Sequence, residues 1–141
     1  MTRYISSALL LAVGFACGLL TEKTPVNAQA ANRVFEMRTY TAPEGKLGEL
    51  QARFRNHTIR IFNKHNMTSI GYWVPQDSPA HDNTIVYLLA HKSRDEAKKS
   101  WAAFAADPEW QKVNTESQIN GKIVAKVESV FLDPTDFSQI K

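Results

Sequence analysis

The hydrophobic pattern of the chain predicts an α+β fold, a ferredoxin-like βαββαβ antiparallel sheet with its helices on one face. Three observations carry that expectation. Four stretches, Arg33 to Thr41, Met67 to Val74, Thr84 to His91 and Lys122 to Leu132, alternate or run apolar at strand length. Two longer stretches repeat apolar residues at three- and four-residue spacing, one between the first two strands and one between the last two. The third strand is apolar on both parities, Ile85, Tyr87 and Leu89 against Val86, Leu88 and Ala90, as a strand covered on both faces is.

The domain is expected to begin after a leader. Arg3 forms a short basic start, Ile5 to Leu20 carries no charge, and Ala28-Gln29-Ala30 is a small-x-small cleavage site. Together these are the parts of a secretory signal peptide over residues 1–30. The uncharged stretch is about 16 residues long, short of the roughly 20 that a spanning helix needs. A retained anchor is therefore the lesser alternative, and the expected location is periplasmic or secreted, off the membrane once the signal is removed. Cleavage leaves a domain of residues 31–141 and takes away Cys17, the only cysteine, so no disulfide supports the mature fold. A domain of this size buries only about two thirds of its unfolded surface when alone, which favours assembly with a second copy.

In order, Phe35, Met37 and Thr39 alternate with Val34, Glu36, Arg38 and Tyr40 in the first strand. Ala42-Pro43-Glu44-Gly45 makes a turn, after which Leu47, Leu50, Phe54, Thr58, Ile61, Phe62 and His65 fall on one face of a helix of about five turns. Asn66 supplies its stop, and the second strand places Ile70, Tyr72 and Val74 opposite Gly71 and Trp73. Pro75 to Asn83 has the composition of an exposed loop. Ser93 and Glu96 form a capping box for the next helix, whose inward face carries Ala97, Ser100, Trp101 and Phe104. Asp107-Pro108 ends that helix and starts another bearing Trp110, since Asp is a preferred N-cap and Pro suits the first helical position. Asn120-Gly121 stops it before the fourth strand.

The second face of the sheet needs a cover. If the first and fourth strands are antiparallel neighbours, Glu36 and Arg38 can pair across the ladder with Lys126 and Glu128, and the mixed face suits a subunit interface. A homodimer joined sheet to sheet, or edge to edge into a barrel, is the expectation. The 17 Lys and Arg and 14 Asp and Glu are interspersed, with no basic stripe for nucleic acid.

Phe35-Glu36-Met37-Arg38-Thr39-Tyr40, Gly45-Lys46-Leu47, Gly71-Tyr72-Trp73, Trp101 with Phe104, Asp107-Pro108-Glu109-Trp110 and Val127-Glu128-Ser129-Val130-Phe131-Leu132 together resemble the NIPSNAP domain. The resemblance runs from Val34 to about Phe137. It implies membership of the dimeric α/β barrel superfamily, which includes cofactor-independent monooxygenases, isomerases and haem-degrading enzymes. It implies a homodimeric fold and no particular reaction.

In such folds a ligand cavity opens between helices and sheet, so inward polar groups are the candidates. His57 and His65 are candidate proton acceptors, because a neutral imidazole suits acid–base work near neutral pH; His65 equally suits a helix C-terminus. Thr58, Tyr72, Tyr87, Trp73, Trp101 and Trp110 are candidates for a pocket that takes a flat organic ligand, though aromatic residues at these spacings also serve packing. No cofactor is expected. His81, Asp82 and His91 lack the spacing of a metal site, and there is no Gly-rich phosphate loop or nucleophile signature. The resulting expectation is an exported homodimer that binds a small molecule or a partner protein. The alternative is a cofactor-independent monooxygenase or isomerase acting on an aromatic substrate.

Overall fold

The computed structural model describes residues 33–141; the expected signal peptide lies outside them. The elements are β1 (Val34–Thr41), α1 (Leu47–Arg53), a π-helical turn (Phe54–Thr58), α2 (Ile59–Lys64), β2 (Thr68–Trp73), a 3-10 turn (Ala80–Asp82), β3 (Thr84–His91), α3 (Arg94–Ala106), α4 (Pro108–Glu116) and β4 (Lys126–Leu132). The strands form one four-stranded antiparallel sheet in the order β2-β3-β1-β4. This is the ferredoxin-like arrangement that the sequence predicts.

Local signals act where the sequence places them. Gly45 takes the left-handed conformation, φ 72°, that closes the turn before α1, and Asn66 does the same at φ 59° after α2. Ser93 Oγ accepts from the Glu96 N–H at 3.2 Å, but the Glu96 carboxylate turns to Lys99 at 2.6 Å instead of reaching back. Only one arm of the expected capping box is made. Asp107 accepts from the Glu109 N–H at 2.8 Å, with Pro108 at the start of α4. The expected fourth strand shortens to β4: Ile123 leaves the ladder to fill the core, and Ala125 rejoins it through the Thr41 carbonyl at 2.7 Å.

The long first helix is continuous in direction but not in winding. Within the π-helical turn the Ile59 N–H bonds the Phe54 carbonyl, five residues back, and the Thr58 hydroxyl donates to the Arg53 carbonyl at 3.3 Å. The wider turn leaves Leu50, Arg53, Phe54, Thr58, Ile61 and Phe62 all buried. Leu50, Phe54, Ile61 and Phe62, with Met67, Tyr87, Leu89 and Phe104, make the core between helices and sheet.

Register decides the charges. Arg38 lies opposite Ser129 and Glu36 opposite Phe131, whereas Glu128 lies opposite Thr39 and Lys126 opposite Thr41. Directly opposed residues share a face, so Glu36 and Arg38 point to the helices while Lys126 and Glu128 point away. The expected cross-strand pairing is therefore replaced by pairs along each strand, Glu36 with Arg38 at 2.9 Å and Lys126 with Glu128 at 2.9 Å. The face away from the helices carries Met37, Val86, Leu88, Val130 and Leu132, and at one end a groove of about 320 Å³ runs between Phe35, Leu88 and Leu132 and the tail residues Pro134, Thr135, Ser138 and Ile140. Among the described residues no helix is long and apolar enough to cross a membrane.

A candidate ligand cleft between the helices and β1

Glu36 is 1% exposed, and a carboxylate so placed must find donors. It finds four. Its Oε2 accepts from Trp101 Nε1 at 2.7 Å and His91 Nε2 at 3.1 Å; its Oε1 accepts from Ser129 Oγ at 2.7 Å and Arg38 Nη1 at 2.9 Å. An ionised carboxylate has about four acceptor sites, so this one is saturated. Burial alone would raise its pKa, but the hydrogen bonds from His91, Ser129 and Trp101 and the charge of Arg38 outweigh burial and hold it at about 2. Because the carboxylate only accepts, His91 carries its hydrogen on Nε2, which leaves Nδ1 buried without a partner.

Arg38 is thereby fixed. Its guanidinium lies 4.0 Å from the centre of the Trp101 ring and 5.6 Å from that of Tyr40, an arrangement in which each ring face attracts the cation. Burial works to lower its pKa, and the neighbouring Tyr40, Tyr87 and Glu36 raise it more.

A second arginine enters from α1. Arg53 is 6% exposed and donates through Nη1 to Asn114 Oδ1 at 3.1 Å and to Ser117 Oγ at 3.3 Å, with its guanidinium 5.1 Å from the Trp110 ring centre. Its Nε has no partner, and among the described residues no carboxylate pairs with it. Burial pushes its pKa down, partly opposed by Tyr40 and Tyr87. The Tyr87 hydroxyl is also buried without a partner, and burial drives its pKa well up. Both arginines thus share Tyr40 and Tyr87 as neighbours, those two rings lying 5.3 Å apart. On the β4 side the helices do not close over the sheet, since Val127 and Ser129 face the helix side yet stay exposed.

The residues singled out in the sequence scatter. Tyr87 is wholly buried in the core, Trp101 and Trp110 pack half-buried against it, and Tyr72 stacks on Tyr87 at 5.5 Å with its hydroxyl 2.6 Å from Ser69 Oγ. Trp73 lies on the opposite face, 53% exposed, with its ring so close over Gly71 that a Cβ there would meet it at 2.5 Å. It shares with Tyr72, Phe54 and Ile59 a separate groove of about 360 Å³ along the β2 edge. His57 is exposed on the rim of another groove, about 340 Å³ between α1 and α4, with Glu49, Glu116 and Arg53. Thr58 is spent on the π-helical turn. His65 Nε2 lies 2.6 Å from Asp107 Oδ2, which Lys64 also reaches at 2.7 Å. The hydrogen bonds from Lys64, His65 and the Glu109 N–H hold the Asp107 carboxyl well below its usual range.

Sequence reasoning missed Glu36, Arg38, Arg53, His91 and Ser129 as members of one site. A signal existed for Arg53, which follows Leu50 by three positions and so falls on the inward stripe.

The NIPSNAP family model matches residues 35–139. A NIPSNAP-like domain protein from Burkholderia xenovorans is similar over 77% of this chain and 90% of its own, at 23% identity and TM-score 0.67. A NIPSNAP family protein from Agrobacterium tumefaciens is similar over 77% and 99%, at 25% identity and TM-score 0.68. SnoaB, a cofactor-independent oxygenase from Streptomyces nogalater, shares the fold at 14% identity and TM-score 0.51, over 77% and 99% of the two chains. No curated protein matches.

Proposed function

The chain belongs to the NIPSNAP family, and from that premise we propose that it is an exported homodimer that binds a small organic molecule between the helices and β1. One observation carries the binding reading: buried polar groups of Arg53, Arg38 and Tyr87 stand without partners among the rings of Tyr40, Trp101 and Trp110. Unpaired buried donors are costly in a finished core, and a ligand that accepts from them removes that cost. A pocket of aromatic walls with a few convergent donors is the usual form of a small-molecule site. The homodimer follows from the apolar face opposite the helices, where a second copy would cover Met37, Val130 and Leu132.

Native mass spectrometry of the protein purified from its own compartment tests both parts together. The reading expects twice the mature chain mass with a retained small molecule. A ligand-free monomer at every concentration overturns it.

The alternative, an oxygenase or isomerase acting on an aromatic substrate, draws support only from the fold shared with SnoaB. It places proton transfer on His57 or His65. Exchange of both for alanine would then abolish turnover of an aromatic substrate, whereas under the binding reading ligand retention is unchanged.

A further inference from the structure

α1 and the π-helical turn after it carry Glu49, Ala52, Arg53, Asn56 and His57 at three- and four-residue spacing, on one helical face. α4 and its C-cap set Val113, Glu116 and Ser117 against that face, and the groove of about 340 Å³ runs between them. Ligand sites span about 300 to 1,000 Å³, so this one suits a small molecule. No residue of β1 lines it. Glu49 precedes Arg53 by four positions, the spacing at which an acid and a base on a helix ordinarily pair. Here they do not. Glu49 turns to Lys46 at 2.7 Å, while Arg53 Nη1 donates across the groove to Asn114 Oδ1 at 3.1 Å and Ser117 Oγ at 3.3 Å. Arg53 is 6% exposed, its Nε is buried without a partner, and its Nη2 donates to no group among the described residues. A buried cation is ordinarily matched by an anion, and the groups that offset its burial are Tyr40 and Tyr87 rather than either glutamate of the groove. The glutamates are exposed and under-used: Glu49 keeps Oε2 free, and Glu116 makes no hydrogen bond, with Lys112 lying 3.9 Å away.

We propose that the groove between α1 and α4 binds a zwitterionic α-amino acid with a small aliphatic side chain. Its carboxylate accepts from Arg53, its ammonium donates to Glu49 and Glu116, and its side chain lies against Ala52 and Val113. A guanidinium takes a carboxylate through charge-assisted hydrogen bonds, and Nη2 is the donor that Arg53 has left. A ligand with only a negative charge would be opposed by the two glutamates, and one with only a positive charge by Arg53. A molecule that bears both charges on one carbon fits an acid and a base one helical turn apart. This is a second place on the molecule, apart from the one between the helices and β1.

Isothermal calorimetry on the purified, dialysed protein tests this with three probes of one carbon skeleton. They are L-leucine, 4-methylpentanoate, which lacks the ammonium, and 3-methylbutylamine, which lacks the carboxylate. L-leucine should bind on the order of tenfold tighter than either, the effect of one charge-assisted contact. Glu49→Gln combined with Glu116→Gln alters two exposed side chains and so keeps the fold. It should bring L-leucine to the level of 4-methylpentanoate. Three results would each overturn the proposal: L-leucine no tighter than a single-charge probe, no heat from L-leucine at millimolar concentration, or an undiminished preference for L-leucine in the doubly substituted protein. None of them bears on a molecule held between the helices and β1, which native mass spectrometry reads.

Discussion

The indole N–H of Trp101 donates to Oε2 of Glu36 over 2.7 Å, which ties α3 to the central strand β1 through a buried charge. The same ring also packs edge-on against Phe62 at 5.4 Å and Phe104 at 5.6 Å. Packing and hydrogen bonding can therefore be separated. Trp101→Phe keeps most of the ring contact and removes the donor, and a hydrogen bond to a charged group contributes about 1.5–3 kcal/mol. Urea unfolding of that variant should show a loss in this range. A change within about 0.5 kcal/mol, the ordinary scatter of surface substitutions, would mean the bond is not structural.

The Glu36 carboxyl titrates at about 2 in the folded protein, against an ordinary 4.5. Between those values the unfolded chain takes up a proton that the folded chain refuses, so stability falls as pH falls through this window. The full difference is on the order of 3 kcal/mol, present near neutral pH and lost in strong acid. Asp107, whose carboxyl is also held low, works in the same direction. Comparison with Glu36→Gln isolates the Glu36 part: the variant should be less stable at neutral pH and show a flatter profile in acid. Parallel profiles for the two proteins would show that the network does not lower Glu36.

How far all this was legible in the sequence depends on range. β3 was readable at its observed bounds because apolar residues on both parities need no partner to be recognised. The hinge at Asp107-Pro108 was readable because capping is local, and α3 begins after Ser93 for the same reason. The Glu36 site was not, since its donors lie 2, 55, 65 and 93 residues away and meet only through sheet register. Parity alone put Glu36 and Arg38 together with Lys126 and Glu128; the offset between β1 and β4 turned the two pairs to opposite faces. Arg53 stands on the inward stripe three positions after Leu50, but its partners Asn114 and Ser117 lie 61 and 64 residues away, so its part in the site needs the packing of α4 to be seen.

Asp107 is the knot between α2, α3 and α4, accepting from Lys64 at 2.7 Å, from His65 at 2.6 Å and from the Glu109 N–H at 2.8 Å. Ser93→Ala removes a single cap bond and should cost about 1 kcal/mol. Asp107→Ala should cost more than that, and Asp107→Asn should fall between, because the amide still caps α4 but no longer pairs with Lys64. A double-mutant cycle with His65→Ala checks the link. Strictly additive losses would show that His65 does not act through Asp107, and would return it to the candidates for chemistry.

On the face away from the helices, Leu88, Met37 and Val130 are directly opposed in a row across β3, β1 and β4. Met37 is 37% exposed, Val130 49% and Leu132 39%, while Phe35 at one end is buried. A stable interface needs about 800 Å² from each partner, more than these side chains alone provide, so the whole open face and its β4 rim must take part. A two-fold axis brings like residues towards each other, and a charge placed in such a patch is both desolvated and opposed by its own copy. Val130→Glu should therefore weaken self-association at least about tenfold, a loss of about 1.4 kcal/mol, without lowering the stability of the separated chain, where this side chain already meets water. Sedimentation over a range of concentrations, with urea unfolding at the lowest, reads both quantities. Trp101→Phe supplies the contrast, because it should lower stability and leave association unchanged. If Val130→Glu and Met37→Glu both sediment as the unaltered protein does, this face is not where two copies meet.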